Sequence, residues 1–162
     1  MTEPLPVSDD AFWKARIISA LDRKHFHYSV YDAPDALWDE IKSIHRPIIE
    51  RETRDLNTLD AGCGYGRAMR WVTGPYTGVD NSPSLLGYAR RAYPAAFFVD
   101  GDLRALPFED GEFDIAFCIS MRRMVCENLG TAEWERMAKE LKRVARRVFL
   151  LEYENPNKIV WL

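Results

Sequence analysis

The stretch Leu59-Asp60-Ala61-Gly62-Cys63-Gly64-Tyr65-Gly66-Arg67 decides the fold of this chain. Its apolar start predicts the end of a strand, and three alternating glycines then let the backbone turn into a helix and approach a ligand closely. Glycine-rich turns of dinucleotide sites have a small residue at the sixth position of the motif, counted with the first glycine as position one, where this chain has Arg67. Asp60 directly before the loop would repel a pyrophosphate and attract a positive group. We therefore expect a ligand that carries positive charge, such as an ammonium and a sulfonium.

Short apolar runs alternate with helical patterns after residue 57, and this alternation predicts a mainly parallel sheet covered by helices. Ser82 and Pro83 predict a helix start, because serine caps the first turn and proline fits the first helical position. Thr131 begins another helical pattern, whereas only a short helix fits directly after Gly66. The predicted strands are residues 58–61, 76–79, 96–99, 113–119 and 148–153. We therefore expect an α/β fold with about five strands.

Residues 1–56 have a purely helical pattern. Ser8 and Asp32 predict the starts of two helices, and Pro47 kinks or restarts the second. The segment contains 11 acidic and 8 basic residues, so it accounts for the whole net charge of −3. We predict one structural domain, in which an N-terminal helical lid at residues 1–56 precedes a ligand-binding core at residues 57–162.

The composition narrows the class of protein. A chain of 162 residues with 47% hydrophobic and 29% charged residues is typical of one folded domain. A net charge of −3 gives no overall positive field for nucleic acid. No apolar run approaches the roughly 20 residues of a membrane span, and the acidic start does not resemble a targeting peptide, so we expect a cytoplasmic protein. The three cysteines lack metal-ligand spacing, which predicts reduced thiols and no metal site.

Acidic residues also follow the next two predicted strands. Asp80 lies twenty positions after Asp60, where an acid in an open α/β sheet accepts hydrogen bonds from both ribose hydroxyls. Asp102 follows the third strand and is placed to accept a hydrogen bond from the exocyclic amine of adenine. The fourth strand, residues 113–119, is apolar enough to be central, so its end should border the ligand. The pattern thus predicts a site for a cationic nucleoside derivative.

Four segments, taken in order, resemble a known family. Residues 59–66, 78–80, 101–102 with 106–108, and 113–120 are similar to the successive motifs of class I S-adenosylmethionine-dependent methyltransferases. The similarity is greatest to the small-molecule, methyltransferase type 11-like branch, and it covers residues 57 to about 153. This resemblance implies a doubly wound, Rossmann-like sheet with the methyl donor lying across the strand ends.

The resemblance also implies which residues bind the cofactor, S-adenosyl-L-methionine. Asp60 and the glycines would lie near its methionine part, Asp80 on the ribose, and Asp102 with the Leu103 backbone on the adenine. The full implied set is Asp60, Ala61, Gly62, Cys63, Gly64, Gly66, Asp80, Asn81, Asp102, Leu103, Cys118 and Tyr31.

The chain departs from the family pattern after the fifth strand. Family members usually continue into a helix and a final antiparallel hairpin, and we expect both to be missing here because the chain stops soon after Glu152 and Tyr153. A minimal fold, a fragment, or a homodimer whose second copy covers the exposed sheet edge would each account for this difference.

Methyl transfer from a sulfonium needs a nucleophile held in line, and it needs a general base only where the attacking atom carries a proton. No residue spacing identifies such a base. His25 and Glu127 are candidates on the same footing as His27, Tyr28 and Tyr31. Tyr28 and Tyr31, with His27 beside them, belong to a segment that resembles a lid over the donor. These three and Arg122 are the candidate catalytic residues: Tyr28, Tyr31, His27 and Arg122.

Arg122 and Arg123 follow the fourth strand, where the acceptor approaches in this family. Two arginines there either bind a carboxylate or phosphate of the acceptor, or pair with local acids such as Glu127. We predict a small-molecule acceptor, which is anionic in the first case. DNA is not expected as the acceptor, because the chain has neither an Asn/Asp-Pro-Pro-aromatic element at this place nor a Pro-Cys pair.

Two other functions fit parts of the pattern. A catalytically weak or inactive donor-binding partner subunit that regulates another protein would explain the missing C-terminal elements and the lack of a clear general base. A nicotinamide-dependent enzyme would share the glycine-rich turn, but the spacing from Gly62 to Arg67 argues against it.

Overall fold

A six-stranded sheet organises the fold in the computed structural model, which describes residues 9–21 and 35–162. The strands lie in the order β3-β2-β1-β4-β5-β6. They span Thr58–Ala61 (β1), Tyr76–Asp80 (β2), Phe97–Asp100 (β3), Phe113–Ile119 (β4), Ala145–Glu152 (β5) and Asn155–Trp161 (β6). The described α-helices are Asp10–Leu21 (α1), Asp35–Glu52 (α2), Pro83–Ala92 (α3), Met121–Asn128 (α4) and Thr131–Val144 (α5), and Arg67–Trp71 forms a 3-10 helix.

The first five strands are parallel, so their carboxyl ends meet at one edge of the sheet. The strand order reverses between β1 and β4, which are neighbours in the sheet although β2 and β3 separate them in the chain. Ligands of open α/β sheets bind in the crevice at such a reversal. The predicted doubly wound, mainly parallel Rossmann-like sheet is therefore confirmed, and all five predicted strands are present within a few residues.

Helices cover both faces of the sheet. On one face, Trp134 and Leu141 of α5 pack with Leu59, Ala116 and Leu150. This face holds the larger of the two apolar clusters that pack against the sheet.

The other face is covered by α2 and the 3-10 helix. Ile49 of α2 and Trp71 pack with Phe117, Phe149 and Leu151 of the central strands. Pro47 lies inside α2, which continues through it to Glu52. In this way α2 supplies apolar cover that the five-residue 3-10 helix after the glycine loop is too short to provide.

The C-terminal end differs from the sequence expectation. The antiparallel hairpin expected to be missing is present, because β6 turns back directly from β5 and pairs Leu150 with Val160 and Leu151 with Ile159. Ile159 and Val160 join the apolar clusters on opposite faces, as the period of a strand requires. The strand was not predicted because β6 starts with polar residues at Asn155 and so lacks an apolar run. As expected, no helix lies between β5 and β6.

Two connections between elements of the core contain no additional helix. α5 ends at Val144 and β5 begins at the next residue, Ala145. Residues 101–112 join β3 to β4 without a helix, and Arg143 of α5 donates hydrogen bonds to the Phe108 and Leu106 carbonyl oxygens at 2.8 and 3.0 Å. Within the described part of the chain, no helix is long and apolar enough to cross a membrane.

Candidate functional site

A cleft of about 240 Å³ lies at the carboxyl ends of β1, β2 and β3. The glycine loop, the ends of β2 and β3, and helices α4 and α5 all contribute to its walls. Its lining consists of Gly62, Asp80, Asn81, Asp102, Leu103, Arg104, Met121, Met124, Val125, Leu129 and Met137. Five of the residues predicted to bind the cofactor therefore face one cleft, which has an acidic side and an apolar, methionine-rich side.

Gly62 brings the backbone of the glycine loop to this cleft. Its φ of 74° lies in the left-handed region that favours glycine, and its N–H donates to the Val79 carbonyl oxygen at 2.8 Å. A side chain at this position would meet the sulfur of Met121 at 2.7 Å. The missing side chain thus leaves a bare backbone surface between the loop and α4.

Asp80, the last residue of β2, holds the loop and the next helix together. Its Oδ2 accepts a hydrogen bond from the Gly64 N–H at 2.8 Å, and its Oδ1 accepts one from the Ser82 N–H at 2.9 Å. Burial raises the pKa of the carboxyl above its usual value, while these two backbone hydrogen bonds oppose the rise. Because a carboxylate has about four acceptor positions, each oxygen keeps capacity for a ligand hydroxyl.

Asp102 follows β3 and is held by an arginine that sequence reasoning missed. Arg104 donates to both carboxylate oxygens of Asp102, with a shortest distance of 2.6 Å, and its other nitrogen lies 3.3 Å from Glu133 of α5. The hydrogen bond from Arg104 lowers the pKa of Asp102. Arg104 therefore fixes the direction of the Asp102 carboxylate at the cleft. The spacing of acid and base by two residues was the available sequence signal.

Asp60 lies outside the cleft lining. Its side chain is only 3% exposed, and its Oδ2 accepts a hydrogen bond from the Tyr76 hydroxyl at 2.9 Å. Burial raises the pKa of Asp60 to about 7, although the Tyr76 hydrogen bond and the charge of Arg67 oppose the rise. The structure therefore places this acid beneath the glycine loop.

Gly78 makes room for that buried contact. A Cβ at Gly78 would meet the Tyr76 hydroxyl at 2.9 Å and the Cys63 sulfur at 2.8 Å. Because Gly78 lies opposite Asp60 in the register of β1 and β2, the Tyr76 ring reaches Asp60 across the space where a side chain would stand. The glycine is required here by close packing.

Other predicted cofactor residues lie behind the cleft. Cys63, Cys118 and Ala61 are buried, and burial raises the pKa of both thiols, so they remain protonated at neutral pH. The N–H of Gly64 donates a hydrogen bond to Asp80, which lines the cleft, whereas Gly66 lies at the end of the loop next to the 3-10 helix.

The arginines after β4 have different surroundings. Arg123 pairs with Glu127 at 2.7 Å and also with Glu154, as one of the two sequence alternatives supposed. Arg122 is exposed on the first turn of α4, and no acid of the described residues forms an ion pair with it. Tyr28, Tyr31, His27 and His25 lie outside the described residues.

The apolar side of the cleft was also missed. Met121, Met124 and Leu129 come from α4 and its end, and Met137 comes from α5. No motif marks these positions, because their place at the cleft depends on how the two helices pack. Among the described residues, no group of three or more His, Cys, Asp or Glu side chains is arranged to hold a metal ion.

Comparisons with known proteins agree with this architecture. A family model described as a methyltransferase domain matches residues 59–148. A malonyl-[acyl-carrier protein] O-methyltransferase of Erwinia pyrifoliae is 36% identical over 94 residues, which cover 56% of this chain and 34% of the relative. A trans-aconitate 2-methyltransferase of Enterobacter sp. (strain 638) is 45% identical over 51 residues, or 28% of this chain and 20% of the relative. The chain thus spans about a third or less of the length of these relatives.

Solved structures share the fold. The magnesium protoporphyrin IX methyltransferase of Synechocystis, solved with bound S-adenosylmethionine, superposes with a TM-score of 0.59 at 20% identity. The match covers 93% of this chain and 77% of that one. A putative S-adenosylmethionine-dependent methyltransferase of Methanococcus maripaludis superposes with a TM-score of 0.63 at 15% identity, over 94% of this chain and 67% of that one.

Proposed function

This chain belongs to the class I S-adenosylmethionine-dependent methyltransferase family, and we propose that it binds S-adenosyl-L-methionine in the cleft and transfers the methyl group to a small acceptor. The observation that carries the proposal is the meeting of Asp80, Asp102 and the bare backbone of Gly62 around one cleft. An acid at the end of β2 is suited to ribose hydroxyls, and the glycine loop admits the amino-acid part of the ligand.

The residues present fit this cofactor. Asp80 keeps acceptor capacity on both oxygens, and Asp102 is an ionised acceptor because the Arg104 hydrogen bond lowers its pKa. The apolar side of the cleft, with Val125 and Met137, suits a flat aromatic ring. Arg104 offsets the charge of Asp102, and Asp80 keeps the net charge of the lining negative, which favours the positive charge of a sulfonium and an ammonium.

The donor supplies a methyl group that its sulfonium already activates. The chain therefore has to bind the two reactants and orient them for direct displacement. Holding reactants in line can supply effective molarities on the order of 10⁵ to 10⁸ M. Met121 and Met124 line the cleft beside the loop and would exclude water from it. No covalent intermediate on a side chain is required, in keeping with the buried, protonated thiols of Cys63 and Cys118.

We infer a small anionic acceptor, bound beside α4. Arg122 supports this inference, because its exposed guanidinium has no ion pair among the described residues. Such a group can donate two hydrogen bonds to one carboxylate. A carboxylate is ionised at neutral pH and attacks without a general base. The names of the relatives include methylation of malonyl-[acyl-carrier protein] and of trans-aconitate. Of the predicted lid at residues 1–56, α2 packs on a face of the sheet, and the part with Tyr28, Tyr31 and His27 stays proposed as a lid on the acceptor side.

The test is titration calorimetry with S-adenosylhomocysteine, followed by transfer of labelled methyl groups to a panel of carboxylates and amines. We expect binding and transfer to carboxylates. Arg122→Gln should raise the KM for the acceptor with little change for the donor, whereas Arg91→Gln, an exposed arginine of α3, should change neither. Absence of heat with the folded chain would contradict cofactor binding. Transfer that requires a second protein would instead support the partner-subunit function.

We also propose that a second copy of the chain covers an edge of the sheet. β6 is an edge strand, and its Trp161 is 45% exposed under the guanidinium of Arg147 at 4.7 Å. Edge strands tend to pair unless something protects them. Light scattering at several concentrations tests this, and a constant monomer mass would contradict it.

A further inference from the structure

Asp10, the first residue of α1, is bonded to the start of α3. Its carboxylate accepts a hydrogen bond from the Ser82 hydroxyl at 2.6 Å, one from the Ser84 N–H at 3.0 Å, and one from the Ser84 hydroxyl at 2.8 Å. A negative group at this end of a helix is favourable, because the first N–H groups are unpaired and carry the positive end of the dipole. The Ser82 and Ser84 hydrogen bonds lower the pKa of Asp10, so it is ionised at neutral pH.

Ser82 connects this contact to the cleft. Its hydroxyl has one proton, which goes to Asp10, and the hydroxyl oxygen accepts the Leu85 N–H at 3.3 Å. Its backbone N–H donates to Oδ1 of Asp80. Asp10 therefore fixes a turn whose other partner is the acid assigned to the ribose. Ser82 is 1% exposed, so water has little access to replace these bonds.

The apolar side of α1 reaches both walls of the cleft. Trp13 packs in one cluster with Tyr65 of the glycine loop and Leu85 of α3, and Met124 of α4 packs against the same cluster. Tyr65 lies in the loop that carries Gly62, and Met124 lines the cleft itself. Trp13 of α1 thus shares one apolar cluster with the loop on one wall and with Met124 of α4 on the other.

We propose that Asp10 is a positioning residue for the methyl donor: by fastening α1 to the Ser82–Ser84 turn, it keeps the cleft closed over the donor and fixes the turn that orients Asp80. The proposal rests on the donor site proposed above. A cover of this kind slows exchange of a bound ligand, since the ligand leaves only when the cover opens. Loss of the contact should therefore act mainly on the dissociation rate.

The experiment measures S-adenosylhomocysteine binding to the full chain by stopped-flow tryptophan fluorescence, with calorimetry as a second measurement. Asp10→Ala should raise the dissociation rate about tenfold and change the association rate less than twofold, given the size of hydrogen bonds to charged groups. Asp10→Asn keeps the shape and should give an intermediate rate. Methyl transfer should show a raised KM for the donor with kcat held or increased.

Asp9→Ala is the matched control. Asp9 is exposed, and among the described residues its carboxylate accepts a hydrogen bond only from the Ala11 N–H, so the change removes the same charge and loosens the same helix end without touching α3. Equal dissociation rates for Asp10→Ala and Asp9→Ala would overturn the proposal. If Asp10→Ala does not fold, Asp10→Asn and Ser84→Ala decide, and wild-type dissociation rates in both would also overturn it. If the wild type does not bind S-adenosylhomocysteine, the proposed donor site itself is wrong.

Discussion

The carboxylates of Asp60 and Asp80 belong to adjacent strands, yet their surroundings differ. Asp60 pairs in register with Gly78, so Asp80 lies two residues, or roughly 6–7 Å, nearer the carboxyl edge. Asp80 reaches the cleft and binds two backbone N–H groups, whereas Asp60 stays beneath the loop with Tyr76. Both residues are aspartates, so distance from the strand end separates the acid that lines the cleft from the acid that is buried beneath the loop.

Replacing Asp80 and Asp60 in separate variants should give the largest difference in ligand affinity. Asp80→Ala should weaken S-adenosylhomocysteine binding by about tenfold or more, because hydrogen bonds to charged groups contribute roughly 1.5 to 3 kcal/mol. Asp60→Asn keeps the size of the buried side chain and should change affinity less than about threefold. Calorimetry on variants with checked thermal unfolding measures both. A larger loss of affinity in Asp60→Asn would reverse the assignment of the two acids.

Filling the space beside Asp60 should affect stability more than the same change elsewhere. Gly78→Ala places a Cβ within 2.8 Å of the Cys63 sulfur and 2.9 Å of the Tyr76 hydroxyl, so we expect a loss of about 1–3 kcal/mol in the free energy of unfolding. Urea denaturation measures it.

Gly87→Ala is the control for that change. Gly87 lies within α3, and a Cβ there would meet the flexible end of the Arg91 side chain at 3.7 Å, an ordinary contact distance. Alanine should therefore stabilise the chain by about 0.5–1 kcal/mol. A Gly78→Ala variant as stable as the wild type would mean that the Asp60–Tyr76 contact has freedom to shift.

The pH dependence of stability should carry the signature of the buried acid. The pKa of Asp60 is raised to about 7 in the folded chain, so the folded state binds more protons than the unfolded state between about pH 4 and pH 7. Its contribution to the free energy of unfolding is therefore present below that interval and lost as the pH rises through 7. Between pH 5.5 and 7.5 the wild type should lose on the order of 1–2 kcal/mol more than Asp60→Asn.

Denaturation of both proteins at the two pH values measures this difference. Glu152, whose pKa burial also raises to about 7, contributes equally to both and cancels in the comparison. Equal slopes for the two proteins would show that Asp60 is ionised throughout this range.

The sequence predicted the features that local patterns encode. The glycine loop, the Ser82 cap of α3 and the five parallel strands follow from residue types at fixed short spacings. Asp80 and Asp102 were predicted at the cleft because each lies at or just after the end of an apolar strand, which is the position that reaches the edge of a parallel sheet.

Features that depend on register or on helix packing were missed. The burial of Asp60 follows from its register with Gly78, which no local pattern reveals. α4 begins at Met121, after Ser120, whose backbone is left-handed and whose side chain does not cap the helix. Two arginines lie in the first turn, so the usual start signals are absent. Met121 and Met124 of the cleft lie on α4 and were therefore missed together with this helix.

The direct junction of α5 and β5 limits how this chain can change in length. Side chains of a strand alternate between faces, so one residue inserted between Val144 and Ala145 would turn Phe149 and Leu151 toward α5 and Leu150 toward α2. Such an insertion would misplace both apolar layers at once. Insertions and deletions should therefore be tolerated at the turn after Glu152, where the two strands of the hairpin allow a longer connection. They should be rare at the junction of α5 and β5.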